Sequence, residues 1–438
     1  MGRISKWKRL GIFALLGLLL SWMVSCSAGP TNSEAESGTQ EVEFWTMQLQ
    51  PEFTDYFNQL IATFESENPE TKVRWVDVPW ADMQSKILTA VSAGTAPDVV
   101  NLNPDFAAQL AGLNAWLDLG DKISPEQQQQ YLPKIWDAGT LNGKSFGIPW
   151  YLTTSVTIYN QQLLEQAGIP LPAAEDTEWE QVSTYENLAE VARAVKDETG
   201  KYAFFVTFVP EDSAEVLQSF AQMGVQLVDE EGQAAFNTPE GLAAFQYWVD
   251  LYKDGLLPRE VLTQGHRRAI ELYQSGEVAL LSSSPHFLET VATNAPAIAE
   301  VSGVAPQITG STGAKSVAVM NLVIPQSTDQ PDAAVKFALF VTNNENQLAF
   351  AKAANVLPST VEALKDGYFT DLPAEVTPPD RARVVSASQM EDAQVLLPQI
   401  KDVKKLQGII YDNLQAAMLD QKTVEQAIVD AESEWNNR

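Results

Sequence analysis

Cysteine is almost missing from this chain of 438 residues: Cys26 stands alone, which excludes intrachain disulfides and any cysteine-built metal cluster. Histidine is nearly as scarce. His266 and His286 are the two, so zinc motifs built on several histidines are absent and no metal site is expected. Positive charge is also in short supply, with 28 Lys and Arg against 57 Asp and Glu and a formal net charge of −29. Such a surface repels phosphate backbones and anionic headgroups, so nucleic acid is not an expected partner and a highly anionic solute is disfavoured. The apolar stretch from Leu10 to Val24 is shorter than the roughly 17–25 residues of a membrane-spanning helix. What remains is globular, with 45% hydrophobic residues. The length exceeds the roughly 250–300 residues that one core supports, so two domains are expected, held by packing alone.

The N-terminus has its own grammar. Arg3, Lys6, Lys8 and Arg9 precede the apolar stretch, and Ser25 precedes Cys26. A basic region, a short apolar run and a small residue before the cut make a secretion signal over residues 1–25. Met23-Val24-Ser25-Cys26 resembles the lipobox of bacterial lipoproteins, with Met23 where Leu is usual. The resemblance implies that Cys26 is diacylated and becomes the new N-terminus, placing the chain in the cell envelope, facing the periplasm or exterior. The alternatives are an ordinary secretion signal with an incidental cysteine, or a short uncleaved anchor. Residues 26–41 are small and polar without apolar periodicity, which reads as a flexible tether.

Beyond the tether, Val42–Trp45 reads as a first strand. Phe53, Tyr56, Phe57, Leu60, Ile61 and Phe64 mark a helical face that Asn68-Pro69 ends. Lys72–Val78 alternates as a strand, Trp80–Ala93 reads as a helix stopped by Gly94, and Asp98–Leu102 as a third strand. This is the rhythm of a mostly parallel α/β sheet. Later helices are announced by Ser183 or Thr184, by Thr238-Pro239, by Pro331 and by Thr423, whose helix lines up Val424, Ile428, Ala431 and Trp435. Ala138–Ser145 fits a relaxed phosphate-loop pattern, but Lys134–Asp137 is a poor buried strand and Phe146-Gly147-Ile148-Pro149 follows in place of a helix. A hairpin turn is the better reading.

Several segments in order carry a likeness. They are Gly94-Thr95-Ala96-Pro97-Asp98-Val99-Val100, Asn142–Pro149, Ile158-Tyr159-Asn160 with Ala167-Gly168-Ile169, Phe236–Glu240 and Tyr273–Leu280. Together they resemble the extracellular solute-binding proteins of ABC importers, in the branch of maltose-type sugar-binding proteins. The resemblance implies a two-lobed, type II periplasmic-binding-protein-like α/β fold. Each lobe is then a mostly parallel sheet flanked by helices, with a hinge between lobes. It implies lobe 1 over 42–151 and 306–353 and lobe 2 over 152–305 and 354–438, with crossings near Trp150–Leu152, Val304–Pro306 and Ala353–Asn355. The implied partners are a sugar or polyol and the permease subunits of an importer, reached by a monomer that needs no cofactor and makes no bond.

Ligands of open α/β sheets sit beyond the carboxyl ends of strands. That rule selects Trp45, Gln48 and Gln50 after the first strand, Trp80 after the second, and Asn103 and Asp105 after the third. Aromatic faces suit the C–H surfaces of sugars, and amides and carboxylates suit the hydroxyls. Trp150 and Tyr151 are expected on the cleft floor, and Ser284 and His286 at the end of a strand through Leu281. His286 stands where family members often carry an aromatic. Phe208, Pro210 and Glu211 form another candidate loop, while Trp75, Trp116, Trp136, Trp179 and Trp248 are left to packing. Asp105 has a plainer alternative as a helix N-cap. Two other functions stay open: a glycoside hydrolase, which needs paired carboxylates across a sugar, and a sensory carbohydrate-binding lipoprotein.

Overall fold

A computed structural model describes residues 39–438, except 174–178, Glu211 and Asp392. The expected signal segment, Cys26 and nearly all of the tether lie outside the described residues. No helix among the described residues is long and apolar enough to cross a membrane.

The expected alternation opens the fold. Strands β1 (Gln40–Met47), β2 (Thr71–Val78) and β3 (Val99–Leu102) are parallel, with β1 in the middle. Helices α1 (Thr54–Glu67) and α2 (Trp80–Ala93) connect them. One face of α1 buries Phe57, Leu60 and Phe64, the spacing of a helix packed on a sheet. Gly94 ends α2 at φ +67, a left-handed cap that suits a residue without Cβ. After β3 comes α3 (Pro104–Ala111), capped by Asn103, whose side chain accepts the Phe106 N–H at 2.9 Å. Strands β4 (Thr140–Leu141) and β5 (Lys144–Ser145) form a hairpin around Asn142 and Gly143, at φ +52 and +75. That is the Asn-Gly turn of a tight hairpin, not a phosphate cradle.

The remaining strands are β6 (Gly147–Thr154), β7 (Val156–Asn160), β8 (Leu280–Ser283), β9 (Ser302–Ala305), β10 (Lys315–Val323), β11 (Leu357–Pro358) and β12 (Ala393–Gln394). The large sheet has the order β11-β6-β10-β3-β1-β2, with β12 on β10, and β10 runs antiparallel to β3 and β6. The small sheet, β8-β7-β9, pairs antiparallel. The parallel rhythm expected for each lobe therefore belongs to β1–β3. Near β8 it survives as a bridge from Tyr202 to Val278, beside the buried segment 203–208. Element order is local information, whereas strand direction depends on distant pairing.

Each lobe has its own core. Both faces of the large sheet are covered, so neighbours along β1 diverge. Phe44 joins Phe57, Phe64, Trp150 and Phe337 on one face, and Trp45 joins Met83, Ile87, Val100 and Trp116 on the other. The small-sheet core gathers Phe220, Phe236, Phe245, Trp248, Tyr411 and Trp435. Thr184, not Ser183, caps the helix Tyr185–Thr199, and Thr238 and Thr423 cap the helices they precede.

The chain changes sheets at Ser155, between β6 and β7, and again between β9 and β10. It does not leave the large sheet near Ala353–Asn355. Asn355 is the left-handed cap (φ +50) of the helix Asn344–Ala354 and turns the chain back into β11. Phe369 still packs with Leu152 and Val319, and the small-sheet core is rejoined at Ala382.

A buried amide ties these passages together. Gln307 Nε2 donates to Thr154 Oγ1 at 2.9 Å and to the Ser316 carbonyl at 3.1 Å, and its Oε1 accepts the Ser316 N–H at 2.6 Å. Its own N–H donates to Gln389 Oε1 at 2.8 Å, and Gln389 Nε2 donates to the Ser155 carbonyl at 3.3 Å. Gln307 and Gln389 are both buried. Gln307→Ala strips several bonds at once and strands buried partners, each costing about 1–3 kcal/mol. Chemical denaturation is expected to show roughly 2–4 kcal/mol of lost stability with an unchanged m-value.

Candidate functional site

The loop after β1 is built by a residue of β2. Asp77 Oδ1 accepts the Thr46 hydroxyl at 2.6 Å and the Leu49 N–H at 2.9 Å, and Oδ2 accepts the Gln50 N–H at 3.0 Å. One carboxylate thus fixes residues 46–50. Gln48, at φ +54, is exposed and accepts the Trp80 N–H on its side-chain oxygen at 3.3 Å. Trp80, first residue of α2, is 45% exposed, an uncommon state for an indole unless it has something to meet. Tyr151 of β6 is half-buried beside Asp77; burial, reinforced by that negative charge, pushes its phenol well above the usual tyrosine range.

Asn103 takes the capping role on α3, which leaves the Asp105 carboxylate free of it. Burial raises the Asp105 pKa, and the opposing attraction comes from Lys404. Lys404 lies in the first turn of the helix Val403–Met418, whose Leu406, Ile410 and Leu414 belong to the small-sheet core. Asp105 of one lobe therefore feels a cation of the other.

On the second lobe, Ser284 and His286 follow β8 and lead into the helix Phe287–Asn294. Ser284 is half-buried and His286 exposed, its ring 6.2 Å from that of Phe287. The neighbouring loop after Phe208 is held by three side chains. Gln407 Nε2 and Tyr411 Oη donate to the Ser213 carbonyl at 2.6 and 2.8 Å, and the His266 N–H donates to Asp212 Oδ1 at 2.7 Å. Glu215, raised by burial against the pull of His266, sits 3.8 Å from His266 Nδ1. Phe208 is core, Pro210 half-buried, and Glu211 lies outside the described residues.

Two candidates move to the core. Trp45 is 7% exposed, with Nε1 donating to Glu43 Oε1 at 2.6 Å and the Lys86 ammonium 4.3 Å over its ring. β1 runs two residues past it, so Trp45 faces α2 and not the strand end. Trp150 is fully buried, stacked on Phe350 at 4.9 Å. The register of β6 against β10 slips there, pairing Tyr151 with Met320 and Pro149 with Asn321, and this bulge turns the indole inward. Gln50 is exposed and lines a groove between α1 and β2. Gln48, Trp80, Asn103 and Asp105 remain at the strand ends of one lobe and Ser284 and His286 at that of the other, while Tyr151 lies in mid-β6, paired with Met320 and Pro358. Asp77, Lys404 and Glu215 escaped the sequence reading; their partners lie far away in sequence, although Asp77 shares the alternation of Val73 and Trp75. Among the described residues no group of three or more His, Cys, Asp or Glu side chains is arranged to hold a metal.

The raised Asp105 pKa carries a sign. The folded chain keeps that proton to higher pH than the unfolded chain, so ionisation costs stability as pH rises from about 3.9 through the folded value. Asp105→Asn removes the cost. Thermal melts from pH 4 to 7 are expected to show the variant gaining on the parent as pH increases.

Residues 50–348 match the family model of the bacterial extracellular solute-binding protein. A crystal structure from Synechococcus sp. MITs9220, described as a candidate oligosaccharide periplasmic-binding protein, is 44% identical, covers 90% of this chain and 98% of its own, and superposes with a TM-score of 0.83. The arabinooligosaccharide-binding protein of Halalkalibacterium halodurans is 25% identical over 319 residues, 70% of this chain and 68% of that protein. The cyclic α-maltosyl-1,6-maltose binding protein of Arthrobacter globiformis, 21% identical, shares the two-lobed fold at a TM-score of 0.76 over 91% of this chain and 99% of its own. With the family pattern spanning both lobes, this chain belongs to the bacterial extracellular solute-binding proteins.

Proposed function

We propose that this chain is a lipid-anchored receptor that takes a sugar or polyol between its lobes and delivers it intact to the permease of an ABC importer. The observation that carries the reading is the exposed Trp80 held against Gln48 of the Asp77-fixed loop at the strand ends, with Asp105 on the next helix near enough to feel the charge of Lys404 from the other lobe. Trp80 offers an indole face to sugar C–H groups, and Gln48, Asp105, Ser284 and His286 offer hydrogen-bonding groups to hydroxyls. The net charge of −29 suits an uncharged guest. Relatives named for oligosaccharide binding support the same ligand class. They are binding proteins, which supports capture without chemistry over the hydrolase reading. Closure of two lobes about the Gln307 region would then present a new outer surface to the permease. In this reading the lobes are 42–154 with 315–369, and 156–305 with 382–388 and 403–438.

Isothermal titration with malto-oligosaccharides, arabino-oligosaccharides and mannitol tests the reading, with binding of at least one expected. Trp80→Ala is expected to weaken that binding about tenfold through loss of roughly 1–1.5 kcal/mol of aromatic contact, with little change in melting temperature. Equal loss of affinity and stability would make Trp80 structural, and release of new reducing ends would favour the hydrolase. The anchor has its own test. Two acyl chains on Cys26 hold a protein stably where one does not, so Cys26→Ser is expected to move the protein from the membrane to the soluble fraction.

A further inference from the structure

A groove of about 550 Å³ runs along the outside of the first lobe, between α1 and β2. Thr54, Asn58, Ala62 and Glu65 line it at helical spacing from one side, and Val73 and Trp75 from the other. Along α1 this span is about 16 Å at 1.5 Å per residue. Its upper end is Gln50, in the same Asp77-held loop that carries Gln48 to the strand ends.

The charges in this groove are already engaged. Glu65 accepts the Val73 N–H at 2.9 Å and the Lys72 ammonium at 2.7 Å, and Arg74 pairs with Glu41 at 3.2 Å and with Glu43. What is left toward the groove is the half-buried ring of Trp75, whose Nε1 donates to Thr46 Oγ1 at 2.8 Å, and the exposed side-chain amides of Gln50 and Asn58, which bond no other described residue. An aromatic wall with neutral amides along it suits a neutral, hydroxyl-rich chain. A peptide adding a strand to the open edge of β2 fits less well, because Glu65 already holds the Val73 N–H that such a strand would need.

We infer that this groove receives the outer end of an oligosaccharide whose other end lies between the lobes, the chain passing over the rim at Gln50. The inference rests on the proposed sugar-receptor function and extends it: the guest is an oligomer, and its length is read outside the cleft.

Ala62 is exposed on α1, so Ala62→Arg fills the groove with a good helix former and leaves the core untouched. Malto- and arabino-oligosaccharides from disaccharide to hexasaccharide are titrated calorimetrically into the parent, Ala62→Arg and Asn58→Ala proteins. The parent is expected to bind the longer members more tightly, one chain per protein. Ala62→Arg is expected to lower hexasaccharide affinity about tenfold, and Asn58→Ala severalfold, as for lost contacts of about 0.5–1.5 kcal/mol, with disaccharide affinity held within twofold. Equal hexasaccharide affinity in parent and Ala62→Arg, or two chains bound per protein, overturns the groove while leaving the receptor standing. Failure of every length to bind the parent overturns the receptor and the groove with it.

Discussion

The chain changes lobes repeatedly, and each change exposes backbone groups that no sheet can satisfy. Gln307 answers that constraint. Its amide carries a donor and an acceptor on one rigid plane, so it bonds Thr154 and both backbone groups of Ser316, while its own N–H reaches Gln389. A charged side chain here would incur desolvation that its partners could not offset. Neutral amides give the same directionality at lower cost, and in a low-dielectric setting they fix one arrangement of the crossing strands. The relative positions of the two lobes depend on that arrangement.

The rim at the strand ends is held differently. Its loops are held by side chains that touch backbone: Asp77 for residues 46–50, Asn103 for the start of α3, Gln407 and Tyr411 for Ser213. The groups left over point outward with unspent hydrogen-bonding capacity. Asp105 and Glu215 are both raised by burial, one eased by Lys404 and the other by His266. Carboxylates raised in this way bear a stability cost when they ionise.

Much of the first lobe was legible because its signals are local. Trp80 to Gly94 was readable as a helix with both ends, since the periodicity and the left-handed cap lie within the segment. The Asn142-Gly143 turn was equally plain. Trp45 and Trp150 were misjudged for reasons that do not show in a single strand. β1 continues to Met47, and the bulge at Trp150 exists only in the register with β10. Asp77 was overlooked because its three partners lie 27 to 31 residues away. The return expected near Asn355 misread a helix cap as a domain boundary, since a turn and a crossing look alike in sequence.

The bond from Val73 to Glu65 also bears on solubility. β2 is the terminal strand of the large sheet, and a bare terminal strand templates pairing with any neighbouring copy. By filling a ladder position with a carboxylate from its own helix, and flanking it with Lys72 and Arg74, the chain makes that edge a poor seed for stacking. A chain kept at high local concentration would gain most from such protection.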